Sequence, residues 1–376
     1  MFRIIIGADI VPTKTNYELF ENADVEALVG SELLRELEAA DFRIFNLETP
    51  ICDELDPIPK TGPNLVAPTS TFPGIAAFKP SLLTLANNHI LDQGVQGIVS
   101  TLNIIREYSI PFIGAGMNLA EAEKPYIFIH EGKKIGIFNC AEHEFTIATE
   151  TTPGANPFDF LDGPDKIAEL REKCDYIIII YHGGKEHYRY PSPNLKKVCR
   201  KMVDKGADVV LCQHTHCISC MEEYNGSVIV YGQGNFLFDH SNSEYWQTSI
   251  LAKIDIDDGI SVDYIPIRKH GNVVRLASPD DAKEIMDNFY SRSDEIKTPG
   301  FIEENYKKYC MENCGFYLHL MAGGEKCLGV SIEEYKPCYD RSALLALHNI
   351  YRCEPHRELV ITALRTMSEN YDEVTP

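Results

Sequence analysis

Short apolar runs recur along this chain, and most of them close on a polar side chain of a type that binds metals. Residues 2–9 read as a strand ending at Asp9, and residues 41–48 as a second ending at Glu48. A third, residues 80–89, carries Asn88 and His89 at its end. The run from Asp175 to His182 is the clearest strand, with β-favouring apolar residues closing on a histidine. Residues 207–212 deliver His214 and His216, and Ser227–Tyr231 leads into Gly232-Gln-Gly-Asn235. Runs this short, apolar and β-branched are buried strands.

Between them the period lengthens to that of a helix. Leu33, Leu34 and Leu37 mark a helix over residues 25–39. Val95, Ile98, Val99 and Leu102 mark a second. Leu195, Val198, Cys199, Met202 and Val203 mark a third, with Gly206 as its C-cap. Residues 126–130 with 134–139, and 250–256 with 260–267, predict two hairpins around Gly132 and Gly259. Residues 50–73 hold six prolines and form a long loop, a feature often tied to function. Beyond about residue 275 helical segments dominate, near 280–291, 301–313, 340–352 and 356–370. The division expected is a first domain over 1–272 and a helical extension over 273–376.

Strands alternating with helices give a mostly parallel α/β sheet whose carboxyl ends share one edge. Ligands of open α/β sheets gather at that edge. Asp9, Glu48, Asn88, His89, His182, His214, His216 and Asn235 can therefore converge from distant parts of the chain. Carboxylates with an amide and imidazoles suit Zn, Mn or Fe rather than Ca or Mg alone. The set exceeds one tetrahedral site. Two ions ~3.5–4 Å apart, sharing a carboxylate, would clamp both oxygens of an in-line displacement.

Composition narrows the partners. The 376 residues carry a formal charge of −21, which argues against nucleic acid or an anionic membrane surface as a partner. An anionic substrate stays possible because a bound metal reverses the local sign. No apolar run is long enough for a membrane span, and Met-Phe-Arg followed at once by strand does not read as a signal peptide. A cytoplasmic location and reduced thiols for the twelve cysteines are the expectations.

The motifs resemble those of the CapA/PgsA-type bacterial capsule-synthesis (poly-γ-glutamate) family, within the calcineurin-like metallophosphoesterase superfamily. They are Gly7-Ala-Asp9, Asn46-Leu-Glu48-Thr-Pro50, Leu85-Ala-Asn-Asn88-His89-x-x-Asp92-x-Gly94, His182-Gly-Gly-Lys-Glu186, the segment from Gly206 to His216, and Tyr231-Gly-x-Gly-Asn235-Phe. They follow family order across residues 1–240. The resemblance implies a four-layer α/β/β/α metallo-dependent phosphatase-like sandwich with one or two divalent metals (Mn, Zn or Fe). Asp9 and His216 would hold one ion, Asn88, His182 and His214 the other, and Glu48 would bridge. His89 matches the histidine that protonates the leaving group, with water activated by the metal as nucleophile. The implied function is a metal-dependent hydrolase of capsule or poly-γ-glutamate biosynthesis, acting on a phosphoester or γ-glutamyl polymer. The alternative is a non-catalytic component of polymer synthesis or export.

Four positions depart from the pattern, the first being Glu48, where ordinary phosphoesterases carry a bridging Asp and the capsule branch a Glu. Val11 stands where ordinary phosphoesterases carry a histidine, which predicts weaker holding of the first ion. Gly183 replaces an aromatic, and Gln213 a small residue.

Plainer readings compete at several residues. An isolated His-x-His can simply cap a strand, and Asp92 reads as capping or charging the next helix's N-terminus. Asn235 either orients a histidine or only shapes a turn. Lys60, Glu186 and His187 could reach an anionic substrate, and the commoner reading of each is surface. Cys217-x-x-Cys220 has no second pair at matching spacing, and Cys310, Cys314, Cys327, Cys338 and Cys353 read as small buried hydrophobes.

Overall fold

A computed structural model describes residues 1–322 and 339–369. Its first sheet runs in the order Val273–Leu276, Ile260–His270, Thr248–Ile256, Phe2–Val11, Phe42–Leu47, Leu82–Thr84, Phe112–Ile113. Asn235–Phe238 lies parallel to the carboxyl half of Phe2–Val11. The second sheet runs Met221–Tyr224, Ser227–Val230, Val209–Gln213, Tyr176–His182, Lys133–Ala141, Tyr126–His130. Its four inner strands are parallel and both outer pairings antiparallel. Both expected hairpins form.

Successive side chains of a strand point to opposite faces, so an unbroken apolar run needs cover on both. Ile178 and Ile180 meet Ile4 and Ile6 in the core between the sheets. Ile177 and Ile179 turn outward onto Leu170, Val198 and Met202 of the helices Gly163–Arg171 and Pro193–Asp204. On the far side, Ile5 and Phe45 pack under Leu28, Leu33, Ile98 and Leu102 of Val25–Glu38 and Gly94–Glu107. The layers are therefore α/β/β/α.

One expectation needs correction. The third strand is only Leu82–Thr84, and the chain then turns, so Asn88 and His89 sit on a turn beyond the ladder. The buried side chain of Asn139 draws it away, accepting from Leu85 N and Ala86 N at 3.2 and 2.8 Å. At the other end, Val273–Leu276 pairs with Ile260–His270 across the turn at Gly271, so sheet pairing continues past residue 272. We therefore propose Leu276 as the boundary of the sandwich.

The extension contributes the helices Pro279–Glu295, Phe301–Ala322, Arg341–Arg352 and Glu354–Glu369. Ile285 and Phe289 enter the core between the sheets, and Ile302 the outer core of the second sheet. Tyr306, Cys310, Cys314, Ile350 and Leu359 form a further core against Tyr188. Among the described residues no helix is long and apolar enough to cross a membrane. Cys327 and Cys338 lie outside the described residues.

Candidate metal centre

Parallel register brings the strand ends together. Asp9 is level with Asn46 on one side and Asn235 on the other, and His182 is level with Gln213. Glu48 follows the end of Phe42–Leu47 directly. His214 and His216 both take left-handed backbone, with φ of 84° and 53°. Non-glycine residues pay about 1–3 kcal/mol for such conformations, which persist where the surroundings enforce them. Here the kinks turn both imidazoles back toward the sheet edge.

His182 Nε2 lies 3.1 Å from Asn88 Oδ1, 3.2 Å from His214 Nδ1 and 3.3 Å from Glu48 Oε1. Donors tetrahedrally placed around one ion at ~2.0–2.1 Å are about 3.3–3.4 Å apart, close to this spacing. Donor atoms of Glu48, His182 and His214 lie within 4.8 Å of one another, and so do those of Asp9, Glu48 and His216. Glu48 belongs to both groups. The structure thus brings Asp9, Glu48, Asn88, His182, His214 and His216 to one place.

The site is enclosed by packing. Asp9, Glu48 and His182 are fully buried. Among the described residues, Asp9 Oδ2 and both Glu48 carboxylate oxygens find no hydrogen-bond donor. Burial pushes both carboxyls well above their usual range, and at Asp9 the neighbouring Glu48 adds to the effect. Burial also pushes His182 and His216 down to about 4, and His214 well below its usual value. Neutral imidazoles beside carboxylate oxygens without a donor form a set that a divalent cation would satisfy, because it supplies positive charge and accepts the lone pairs. The residues fit such an ion.

Their supports are equally specific. Asn235 Oδ1 sits 2.8 Å from His216 Nδ1, so the orienting reading of Asn235 holds. Glu142 Oε1 lies 3.4 Å from His214 Nε2, a carboxylate behind the imidazole. Asn46 Nδ2 donates to Asp9 Oδ1 at 2.6 Å. Gly183 is explained by Glu142: a Cβ there would fall 2.7 Å from Glu142 Oε2 and 2.8 Å from the Tyr181 ring. Gln213 is buried and donates to Gly7 O. Val11 packs with Phe238 and Trp246 in a small apolar cluster.

His89 stands at the mouth of the site. Its Nδ1 is 2.5 Å from Asp92 Oδ2 and 3.2 Å from Lys60 Nζ, which leaves Nε2 as its unengaged nitrogen. Asp92 is no helix cap: it is fully buried, pairs with Lys60 at 2.5 Å and accepts from Leu65 N. Lys60 is likewise no surface residue, its side chain being 2% exposed. A cleft of about 460 Å³ opens here, lined by Lys60, Asn88, His89, Glu186, His216 and His356. Cys217 and Cys220 are buried free thiols, raised by burial to about 11 and about 12, and stand apart from this chemistry.

Sequence reading passed over Glu142 and Glu144. The signal was present, since Lys133–Ala141 is another strand whose carboxyl end leads into an acidic residue. That strand had been read only as half of a hairpin.

Residues 3–240 match the family model described as bacterial capsule synthesis protein PGA_cap. The chain is 33% identical over 166 residues to the PGA biosynthesis protein CapA of Bacillus subtilis, covering 42% of this chain and 43% of that one. It is 28% identical over 194 residues to the capsule biosynthesis protein CapA of Bacillus anthracis, covering 50% and 47%. The match thus spans about half the length of these relatives. Among solved structures, a phosphatase from Mycoplasma pneumoniae aligns with 77% of this chain and 98% of its own, at 14% identity and a TM-score of 0.43.

Proposed function

This chain belongs to the bacterial capsule synthesis protein family, and from that membership we propose a metal-dependent hydrolase-like protein of capsule or poly-γ-glutamate biosynthesis. Its substrate is a phosphoester or a γ-glutamyl polymer, taken into the cleft beside His89. The observation that carries the reading is the set of buried oxygens on Asp9 and Glu48 that accept no hydrogen bond, ringed by neutral imidazoles. Asp9 and His216 would hold one divalent ion and Asn88, His182 and His214 the other, with Glu48 available to either. Such an ion, when bound, polarises a substrate oxygen and makes water more acidic.

The chain's own residues do the rest. Asp92 accepts from His89 Nδ1 and turns Nε2 to the cleft, so it is the imidazolium form of His89 that gives its Nε2 proton to the leaving group, leaving the neutral ring on Asp92. Asn235 and Glu142 fix the ring planes of His216 and His214. The test is hydrolysis of a simple phosphoester and of a γ-glutamyl polymer after loading with Mn²⁺, Zn²⁺ or Fe²⁺. Protein that binds none of these ions and cleaves neither substrate sinks the proposal.

One observation favours a second reading, a non-catalytic polymer-binding component. Val11 is apolar and packed where ordinary phosphoesterases carry a histidine. Poly-γ-glutamate binding unchanged by Asp9→Ala and His216→Ala, with no hydrolysis by the parent protein, supports that reading over the enzyme.

A further inference from the structure

The helical extension lies outside the region matched by the family model, yet it reaches the metal centre through three consecutive residues, Glu142-His143-Glu144. These follow the strand Lys133–Ala141 and precede no helix of their own. Each of the three is gripped by the helices Arg341–Arg352 and Glu354–Glu369 or by the residue joining them. The Cys353 thiol donates to Glu142 Oε1 at 3.6 Å. Glu354 accepts from His143 N at 3.0 Å and meets His143 Nδ1 at 2.9 Å. Asn349 Nδ2 donates to Glu144 Oε1 at 3.2 Å, and His356 Nε2 lies 3.9 Å from the same oxygen.

On its other side the same tripeptide faces the ligand residues. Glu142 Oε1 stands behind His214 Nε2 at 3.4 Å, while Oε2 accepts from Gly184 N at 2.8 Å. Glu144 Oε2 accepts from Asn88 Nδ2 at 3.4 Å. That contact decides which way the Asn88 amide faces. With its NH₂ group on Glu144, its carbonyl oxygen turns to His182 Nε2, 3.1 Å away. Two of the donors assigned to one ion, His214 and Asn88, therefore take their orientation from acids that the extension holds in place. Among the described residues neither Asp9 nor His216 has such a link: His216 is fixed by Asn235, and Asp9 by Asn46.

We propose that the C-terminal extension is a positioning brace for one of the two metal sites, acting through Glu142 on His214 and through Glu144 on Asn88. The inference rests on the metal-centre reading above and goes beyond it by assigning the extension a task at that centre. Donor atoms of Glu144, Cys353 and His356 also lie within 4.8 Å of one another. This cluster differs from the metal centre in one respect. Its members already have partners: Tyr317 on His356 Nδ1 at 2.7 Å, Asn349 and Asn88 on Glu144, and Glu142 on Cys353. Asp9 and Glu48 carry oxygens with none.

The experiment titrates Mn²⁺ into the metal-free full-length chain by calorimetry, with ion content checked by elemental analysis. Parent, Glu142→Gln, Glu144→Gln, Cys353→Ala and Asn349→Ala proteins are compared. The parent is expected to bind two ions. Glu142→Gln and Glu144→Gln should weaken one of them by about 10–100-fold, the usual cost of losing a carboxylate behind a ligand, and leave the other unchanged. Cys353→Ala and Asn349→Ala should weaken the same ion by a smaller factor. The Co²⁺ absorption spectrum of the two Gln variants should change for that ion alone. Should an alanine variant fail to fold, the near-isosteric Gln variants still decide the matter.

Equal weakening of both ions, or no change in a parent that binds two, overturns the brace. A third ion lost in Cys353→Ala also overturns it, by making that cluster a metal site instead. A parent that binds no ion removes the metal-centre reading itself, a result distinct from the others.

Discussion

Gly183 and Glu142 compete for one volume: a Cβ on Gly183 would lie 2.7 Å from Glu142 Oε2, with the Tyr181 ring 2.8 Å away on another side. The residue after His182 must lack a side chain for the carboxylate behind His214 to take its place. Gly183→Ala should therefore displace Glu142 and reproduce the metal defect of Glu142→Gln. The larger Gly183→Trp should do so more severely. The check is Mn²⁺ affinity of each variant, and a Gly183→Ala protein with parental affinity at both sites refutes the competition.

His214 and His216 should behave unequally. His214 shares its group with His182, Asn88 and Glu48, whereas among the described residues His216 is grouped with Asp9 and Glu48, Val11 being apolar. His214→Ala is expected to lose the more tightly held ion and His216→Ala the weaker one. Ion content after dialysis against a weak chelator measures this, and equal losses contradict the assignment.

His89 should matter to turnover and not to metal content, because it faces the cleft and belongs to neither donor group of the metal centre. His89→Gln is expected to lower kcat by about 10²–10⁴-fold, the range for one general acid, with both ions retained. Asp92→Asn should fall in the same direction by less. Loss of metal in His89→Gln would make it a ligand instead.

Docking of the extension should depend on acidity through Glu354. Burial acts to raise its carboxyl, but hydrogen bonds from the His143 side chain and backbone outweigh this and hold it below its ordinary value. Arg357, 3.9 Å away, also faces it. A carboxylate whose pKa is lower folded than unfolded stabilises fully above the unfolded value of ~4.3, and loses that contribution as pH falls through the folded value. The melting-temperature gap between the parent and Glu354→Gln should thus be widest near neutral pH and close below about pH 4. A gap independent of pH would show that the carboxylate's charge is irrelevant to docking.

How much of this was legible in the sequence follows from what each residue depends on. The strand cores were visible because Ile177 to Ile180 are apolar at every position, which demands cover on both faces whatever lies there. Asp9, Glu48, His182, His214 and His216 were visible because each ends or follows an apolar run; that Asp9 and Glu48 belong to one sheet and the three histidines to the other was not. Local pattern failed at Lys60 and Asp92, which looked like loop and helix-cap residues and are buried against His89. The folding back of the long proline-rich loop onto the turn after Asn88 decides their role, and no periodicity encodes it.

By itself, then, the chain's hydrophobic pattern determined parallel α/β strands and the polar residues at their ends, because strand period and burial are local properties. Their division into two sheets of a sandwich was implied only by the family resemblance. Tertiary structure alone decided which nitrogen faces which oxygen, that Glu48 belongs to both donor groups, and that Glu142 needs Gly183 beside it. It also decided that residues near 350 support a loop near 143, a relation between segments more than 200 residues apart. Such contacts depend on side-chain geometry at distances of a few ångströms, set only once the layers have packed.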